Sequence, residues 1–160
     1  AHLLGGNAAD LSGKLHALLD RQKKLEREVE ALRAKAASGA TADLGARAQE
    51  VAGIKVLAVR LEGFDAKALR DALDRLKTQL GDAVIVLAGT EGGKAALVAG
   101  VSGMALGKVK AGDVLSDVAR QVNGKGGGRP DMAQGGGEDG PALVAALEGV
   151  SARVRDALQA

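Results

Sequence analysis

The sequence predicts an α/β protein. An N-terminal helical hairpin or coiled coil, residues 1–52, precedes a globular domain with a mixed β-sheet and covering helices, residues 53–160. Three observations lead to this prediction. Apolar residues follow a heptad spacing near the N-terminus, runs rich in β-branched residues alternate with amphipathic stretches, and a glycine-rich segment separates the last two helical patterns.

The N-terminal segment carries a heptad seam, in which spacings of four and three alternate. Its members are Leu11, Leu15, Leu18, Gln22, Leu25, Val29, Leu32 and Ala36. We expect this helix to end at Ser38-Gly39, and a second helix from Thr41 to Val51 to fold back on it as an antiparallel hairpin. The alternative is that the apolar members from Leu11 to Leu32 are oligomerisation residues that pair with another copy or with a longer parent chain.

The first half of the globular domain reads as strand, helix, strand, strand. The apolar run Ile54–Leu61 predicts a buried strand, and Asp65 is the expected N-cap of a helix that stops at Gly81. Residues 83–88 and 95–101 predict two further strands, joined by a turn that contains Gly92-Gly93. Together these elements predict a mixed sheet.

The second half contains two helical patterns. Residues 103–107 are irregular, with Met104 and Leu106 expected to pack beneath them, and Lys108 and Lys110 follow on an exposed turn. The next helix buries Val114, Leu115, Val118, Ala119 and Val122. In the last helix Asp139 is the expected N-cap and Pro141 lies at or near the first position. Its expected buried residues are Val144, Leu147, Val150, Val154 and Leu158.

The composition excludes several kinds of site. Aromatic residues make up 1% of the chain and Phe64 is the only one, so no aromatic side chains are present to stack on bases, an interaction worth about 1–3 kcal/mol per base. No cysteine is present, which excludes disulfides and thiolate sites. The net charge of +2 is compatible with nucleic-acid binding. With no signal peptide, membrane span or initial Met, we expect a cytoplasmic segment of a longer polypeptide.

Residues Asn123–Gly137, here called the glycine block, have the sequence NGKGGGRPDMAQGGG. Glycines beside Lys125 and Arg129 present uncovered N–H groups with positive charge nearby, which favours anions and above all phosphate. The alternative is a flexible linker. The helical patterns on both sides, and a centre of Arg-Pro-Asp-Met-Ala-Gln, argue against a linker.

The glycine block resembles the signature of the C-terminal domain of alanyl-tRNA synthetase, which is similar to the DHH-associated domain of some phosphoesterases. The family pattern is roughly GGxGGGRPxxAQxGG, and this sequence departs from it at Asn123, where glycine is expected. Asparagine tolerates the left-handed backbone better than most residues, so the departure is mild. The resemblance covers the chain from about Val51 onward.

The resemblance implies a non-catalytic tRNA-binding module with the alanine-acceptor tRNA as partner. It would contact the outer corner of the tRNA and support the aminoacylation and editing domains of the parent chain. The expected contact residues are Lys108, Lys110, Lys125, Gly126, Gly127, Gly128, Arg129, Gln134, Gly135 and Gly136. No cofactor is expected. His2 and His16 lie far from the glycine block, and no cluster has metal-ligand spacing.

Two other functions compete with tRNA binding. One is self-association through the heptad seam. The other is the substrate-clamping half of a phosphoesterase. The phosphoesterase relatives typically have histidine after the glycine run, where this chain has Arg129. Arginine binds phosphate but cannot act as an acid or base near neutral pH, so this residue favours binding without chemistry.

Overall fold

The computed structural model describes residues 8–159, except for the side chains at 8, 9, 33, 34, 36–38 and 40–42. His2 lies outside the described residues. The chain separates into two compact units, Ala1–Ala36 and Ala37–Ala160. The division at 52/53 stays a prediction.

The first helix, α1, runs without interruption from Ala8 to Ala46. The predicted hairpin is therefore wrong, because the helix continues through Ser38-Gly39. A glycine inside a helix costs only about 1 kcal/mol relative to alanine, and this one is surrounded by alanines that favour the helix. The last residues of α1 belong to the second unit, where Leu44 is buried.

The second unit is built on a six-stranded sheet in the order β1-β2-β3-β4-β6-β5. The strands are β1 Gln49–Val51, β2 Ile54–Glu62, β3 Ala83–Glu91, β4 Lys94–Ser102, β5 Lys125–Gly128 and β6 Met132–Glu138. Strands β2 and β3 are parallel and every other pair is antiparallel. The predicted mixed sheet is confirmed. The end of the predicted second helix, residues 49–51, is strand β1 instead.

The remaining helices are α2 Ala66–Leu80, a 3-10 helix Gly103–Gly107, α3 Ala111–Gln121 and α4 Pro141–Gln159. Two apolar clusters lie on opposite faces of the sheet. Helix α2 contributes Leu69, Leu73 and Leu76 to one of them, while α3 and α4 contribute to the other. The predicted N-cap is confirmed, because the Asp65 carboxylate accepts a hydrogen bond from the Ala68 N–H at 2.7 Å.

Three details differ from the predictions. Met104 is 70% exposed and Leu106 is 41% exposed, so neither packs beneath the 3-10 helix. In α4 the buried stripe begins at Leu143, and Val144 is exposed. Both residues are apolar, so the sequence did not distinguish two stripes that differ by one position. Asp139 directs its carboxylate to Arg60 rather than serving as a cap.

The glycine block is a β-hairpin, whereas the sequence indicated only a glycine-rich segment between two helices. Strands β5 and β6 pair antiparallel, and the Arg129 N–H bonds to the Met132 carbonyl at 2.8 Å across the turn. Asn123 precedes the hairpin with φ of 54°, the left-handed conformation expected at this position.

Close packing explains most of these glycines. A Cβ on Gly124 would collide with the Gly136 carbonyl, and one on Gly135 would lie 2.6 Å from the Gly126 Cα. A Cβ on Gly126 would come within 3.1 Å of Leu115 of α3. By contrast, a Cβ on Gly127 would meet nothing within 4 Å. Glycine is thus required where the two strands and α3 approach one another.

We therefore expect Gly135→Ala to lower the free energy of unfolding by about 1–3 kcal/mol, because the added methyl overpacks the hairpin. Gly127→Ala is the matched control, and its stability should stay within about 0.5 kcal/mol of the original. Urea unfolding of both variants measures the difference, and equal stabilities would contradict this packing.

The Asp65 cap gives a second prediction. Asp65→Ala should lower the free energy of unfolding by about 0.5–2 kcal/mol, because the Ala68 N–H loses its acceptor. The control is Asp71→Ala, at an exposed position inside α2, which should change stability by less than about 0.5 kcal/mol. Thermal unfolding compares the two, and equal melting temperatures would count against the cap.

Candidate functional site

The hairpin forms one edge of the sheet, because β5 pairs only with β6. Along two antiparallel strands, residue pairs that are hydrogen-bonded to each other alternate with pairs that are not. Arg129 and Met132 are such a hydrogen-bonded pair. By this alternation Lys125 and Gly127 also bond to β6. The N–H groups of Gly126 and Gly128 then point away from β6. The Ser116 hydroxyl donates to the Gly126 carbonyl at 3.0 Å, as expected for a group that points away from β6. The edge therefore presents main-chain donors.

The turn of the hairpin is held by two helices and one strand. The Asp131 carbonyl accepts hydrogen bonds from Lys77 Nζ of α2 at 2.9 Å and from the Val101 N–H of β4 at 3.0 Å. The Pro130 carbonyl accepts from the Ala111 N–H at the start of α3, at 2.9 Å. These three bonds fix the position of the turn relative to the sheet.

The base of the hairpin is also fastened. The Glu138 N–H bonds to the Val122 carbonyl at 2.8 Å, and Asn123 Nδ2 donates to the Glu138 carboxylate at 3.0 Å. Beyond it, Arg60 of β2 donates twice to Asp139, at 3.1 and 2.7 Å. These hydrogen bonds hold the pKa of Arg60 above its ordinary value. Hydrogen bonds therefore hold the chain in place where the glycine block begins and just after it ends.

The structure brings most of the predicted contact residues into this one hairpin. Strand β5 carries Lys125, Gly126, Gly127 and Gly128, the turn begins with Arg129, and β6 carries Gln134, Gly135 and Gly136. Lys110 lies beside the turn, because the next residue bonds to Pro130. Lys108 lies two residues further away, after the 3-10 helix.

Two residues near the hairpin were missed by the sequence analysis. Arg70 donates from Nη2 to Gln134 Oε1, and Lys77 donates to Asp131 as described above. Their spacing of seven places both on one side of α2, which was visible in the sequence. Which strand that side meets depends on the pairing of β4 with β6, and no local signal shows this.

Cationic side chains surround the hairpin. Lys110, Lys125 and Arg129 are exposed, and Arg70 and Lys77 approach it from α2. The carboxylates on the hairpin are Asp131 and Glu138, and Glu138 accepts a hydrogen bond from Asn123. Main-chain donors with excess positive charge favour an anionic ligand.

The rest of the described chain offers other surfaces. The apolar seam residues from Leu11 to Leu32 are exposed, with fractions from 46% at Val29 to 66% at Leu32. A cavity of about 550 Å³ lies between β2 and α4, lined in part by Leu57, Val59 and Leu147. His16 of α1 lies 2.8 Å from the Ser12 carbonyl. Among residues 8–159, no group of three or more His, Asp or Glu side chains could hold a metal ion, and no helix is long and apolar enough to span a membrane.

The chain is similar in sequence to known proteins. The chain is 70% identical over 158 residues to the alanine–tRNA ligase of Xanthomonas oryzae pv. oryzae (strain PXO99A), which covers 99% of this chain and 18% of that protein. It is 73% identical over 150 residues to the alanine–tRNA ligase of Stenotrophomonas maltophilia (strain K279a), 94% of this chain and 17% of that protein. The chain therefore spans less than a fifth of the length of these relatives.

Among solved structures, the fold is similar to the crystal structure of the C-Ala domain from Aquifex aeolicus alanyl-tRNA synthetase. The TM-score is 0.63 at 29% sequence identity, and the match covers 68% of this chain and 97% of that one. The family model of the DHHA1 domain matches residues 53–159, which include the whole sheet from β2 onward and the glycine block. Because this match covers more than half of the sequence, the chain belongs to the DHHA1 domain family.

Proposed function

We propose that this chain is a tRNA-binding module of an alanine–tRNA ligase that makes and breaks no bonds itself. The observation that carries the proposal is the edge strand of the glycine block, which presents main-chain N–H groups between Lys125 and Arg129. The similarity to alanine–tRNA ligases supports tRNA as the ligand and the cytoplasm as the location.

Contact with a sugar-phosphate backbone follows from the shape of the hairpin. Strand β5 has no side chain at Gly126, Gly127 or Gly128, so a phosphate can approach the main chain closely. Lys125 and Arg129 provide charge at the two ends of this strand, and Lys108 and Lys110 add phosphate contacts beside the turn. On β6, Gln134, Gly135 and Gly136 complete the proposed surface.

The energetics suit a module that works while tethered. Without aromatic stacking, affinity comes mainly from phosphate contacts, and such binding has a Kd of about 10⁻⁴–10⁻⁶ M at physiological salt. A weak site gains from effective concentration when the rest of the chain holds the same ligand. We propose that the module contacts the outer corner of the tRNA while the aminoacylation and editing domains of the ligase act elsewhere on it.

The proposal predicts that Lys125→Ala combined with Arg129→Ala weakens binding of the alanine-acceptor tRNA and lowers its salt dependence. Losing two phosphate contacts should reduce the slope of log K against log salt by about 1.4–1.8. Fluorescence anisotropy titrations between about 50 and about 200 mM salt measure both quantities.

The control is Lys55→Ala combined with Arg155→Ala, which removes the same charge from exposed positions on β2 and α4. This variant should keep most of the affinity. Binding by the Lys125/Arg129 variant that equals that of the control would contradict the assignment of the site.

A second candidate function, self-association, is favoured by the exposed seam of α1. Leu11, Leu15, Leu18, Leu25, Val29 and Leu32 are each at least 46% exposed, an apolar stripe of the kind that another helix covers in a coiled coil. The partner would be a second copy of the chain, paired through these residues.

Sedimentation equilibrium tests this candidate. Leu25→Glu places a charge in the seam and should convert a dimer into a monomer, whereas Lys23→Gln changes the net charge equally outside the seam and should leave the dimer intact. A chain that is monomeric before any substitution would exclude self-association, and tRNA binding unaffected by Leu25→Glu would separate the two functions.

A further inference from the structure

A contact between α2 and β6 determines how the carboxamide of one side chain in the glycine block is oriented. Arg70 donates from Nη2 to Oε1 of Gln134, and seven residues later Lys77 donates to the Asp131 carbonyl. A guanidinium group has five N–H donors and no acceptor. The Gln134 carboxamide must therefore turn its oxygen toward Arg70, which leaves its two N–H groups directed away from Arg70.

Open space lies on the face of the sheet that carries the Gln134 side chain. Gln134 is partly buried and pairs with Gly127 of β5 on one side and with Val98 of β4 on the other. Paired residues of a sheet share a face, so Gly127 lies on the same side as Gln134. A Cβ on Gly127 would meet nothing within 4 Å, so a ligand has room above Gly127, on the same face as Gln134.

We infer, on the basis of the proposed function, that Arg70 is a positioning residue that makes Gln134 a hydrogen-bond donor to the RNA. A free carboxamide can turn over and either donate or accept. Held by Arg70, Gln134 recognises acceptors such as phosphate and ribose oxygens. This part of the surface therefore selects the ribophosphate backbone and disfavours groups that can only donate.

Substitutions at Gln134 test the direction of the hydrogen bond. Gln134→Ala should weaken tRNA binding by about two- to tenfold, the range expected for one hydrogen bond. Gln134→Glu should weaken it further, because a carboxylate has no donor and repels phosphate. Its Arg70 contact is kept, so the fold is expected to persist, as thermal unfolding checks. If Gln134 instead accepted from the RNA, Gln134→Glu would bind as well as the original chain.

Arg70→Lys tests positioning apart from charge, since the charge stays while the lysine side chain ends one bond short of Nη2, the atom that bonds to Gln134. It should weaken binding by a factor similar to that of Gln134→Ala, and it should cause no further loss when combined with Gln134→Ala. If Arg70→Lys weakened tRNA binding equally in the original chain and in Gln134→Ala, Arg70 would be an independent contact and the inference would be overturned.

A measurement on the free protein completes the test. The side-chain amide resonances of Gln134, assigned by their loss in Gln134→Ala, should shift in Arg70→Lys. Unchanged resonances would overturn the inference without any RNA. Failure of the original chain to bind tRNA would contradict the proposed function and the inference together, whereas full binding by Gln134→Glu would overturn the inference alone.

Discussion

The close approach of β5, β6 and α3 is the constraint on which the rest of the site depends. Gly124 faces the Gly136 carbonyl, Gly135 faces Gly126, and Gly126 faces Leu115, so a side chain at any of these positions would push the layers apart. Glycine favours the unfolded chain entropically, so such a run destabilises a fold unless packing requires it. Here the packing does require it, and a strand nearly without side chains results at the edge of the sheet.

The hydrogen bonds around this strand hold its glycine-rich backbone in one position. The turn is held through Asp131 and Pro130 by α2, β4 and α3, and the base is held through Glu138 and Asn123. A ligand that binds a preformed surface avoids the cost of ordering it, which is of the order of the interaction itself for weak contacts. This organisation allows a site with few charges and no aromatic side chains to contribute to binding.

Local patterns predicted the elements of this fold better than their arrangement. The Asp65 cap, the buried stripe of α3 and the left-handed Asn123 each follow from a few neighbouring residues. The hairpin did not, because glycines carry no alternation that would reveal a strand. The contact of Arg70 with Gln134 spans 64 residues and depends on the strand order. Helix α1 was misjudged at Gly39, because the penalty for one glycine is smaller than the helix preference of its neighbours.

The glycines of the block fall into two kinds, and the difference separates folding from binding. At Gly124, Gly126 and Gly135 the absence of a side chain is explained by the protein's own packing. Packing does not explain the glycine at position 127, since a Cβ there would meet nothing within 4 Å. Backbone conformation does not explain it either, because Gly127 is not left-handed. Gly127 is exposed and pairs in the sheet with Gln134, the residue whose side chain Arg70 contacts. The space above Gly127 is therefore the part of the hairpin that the fold leaves free for a ligand.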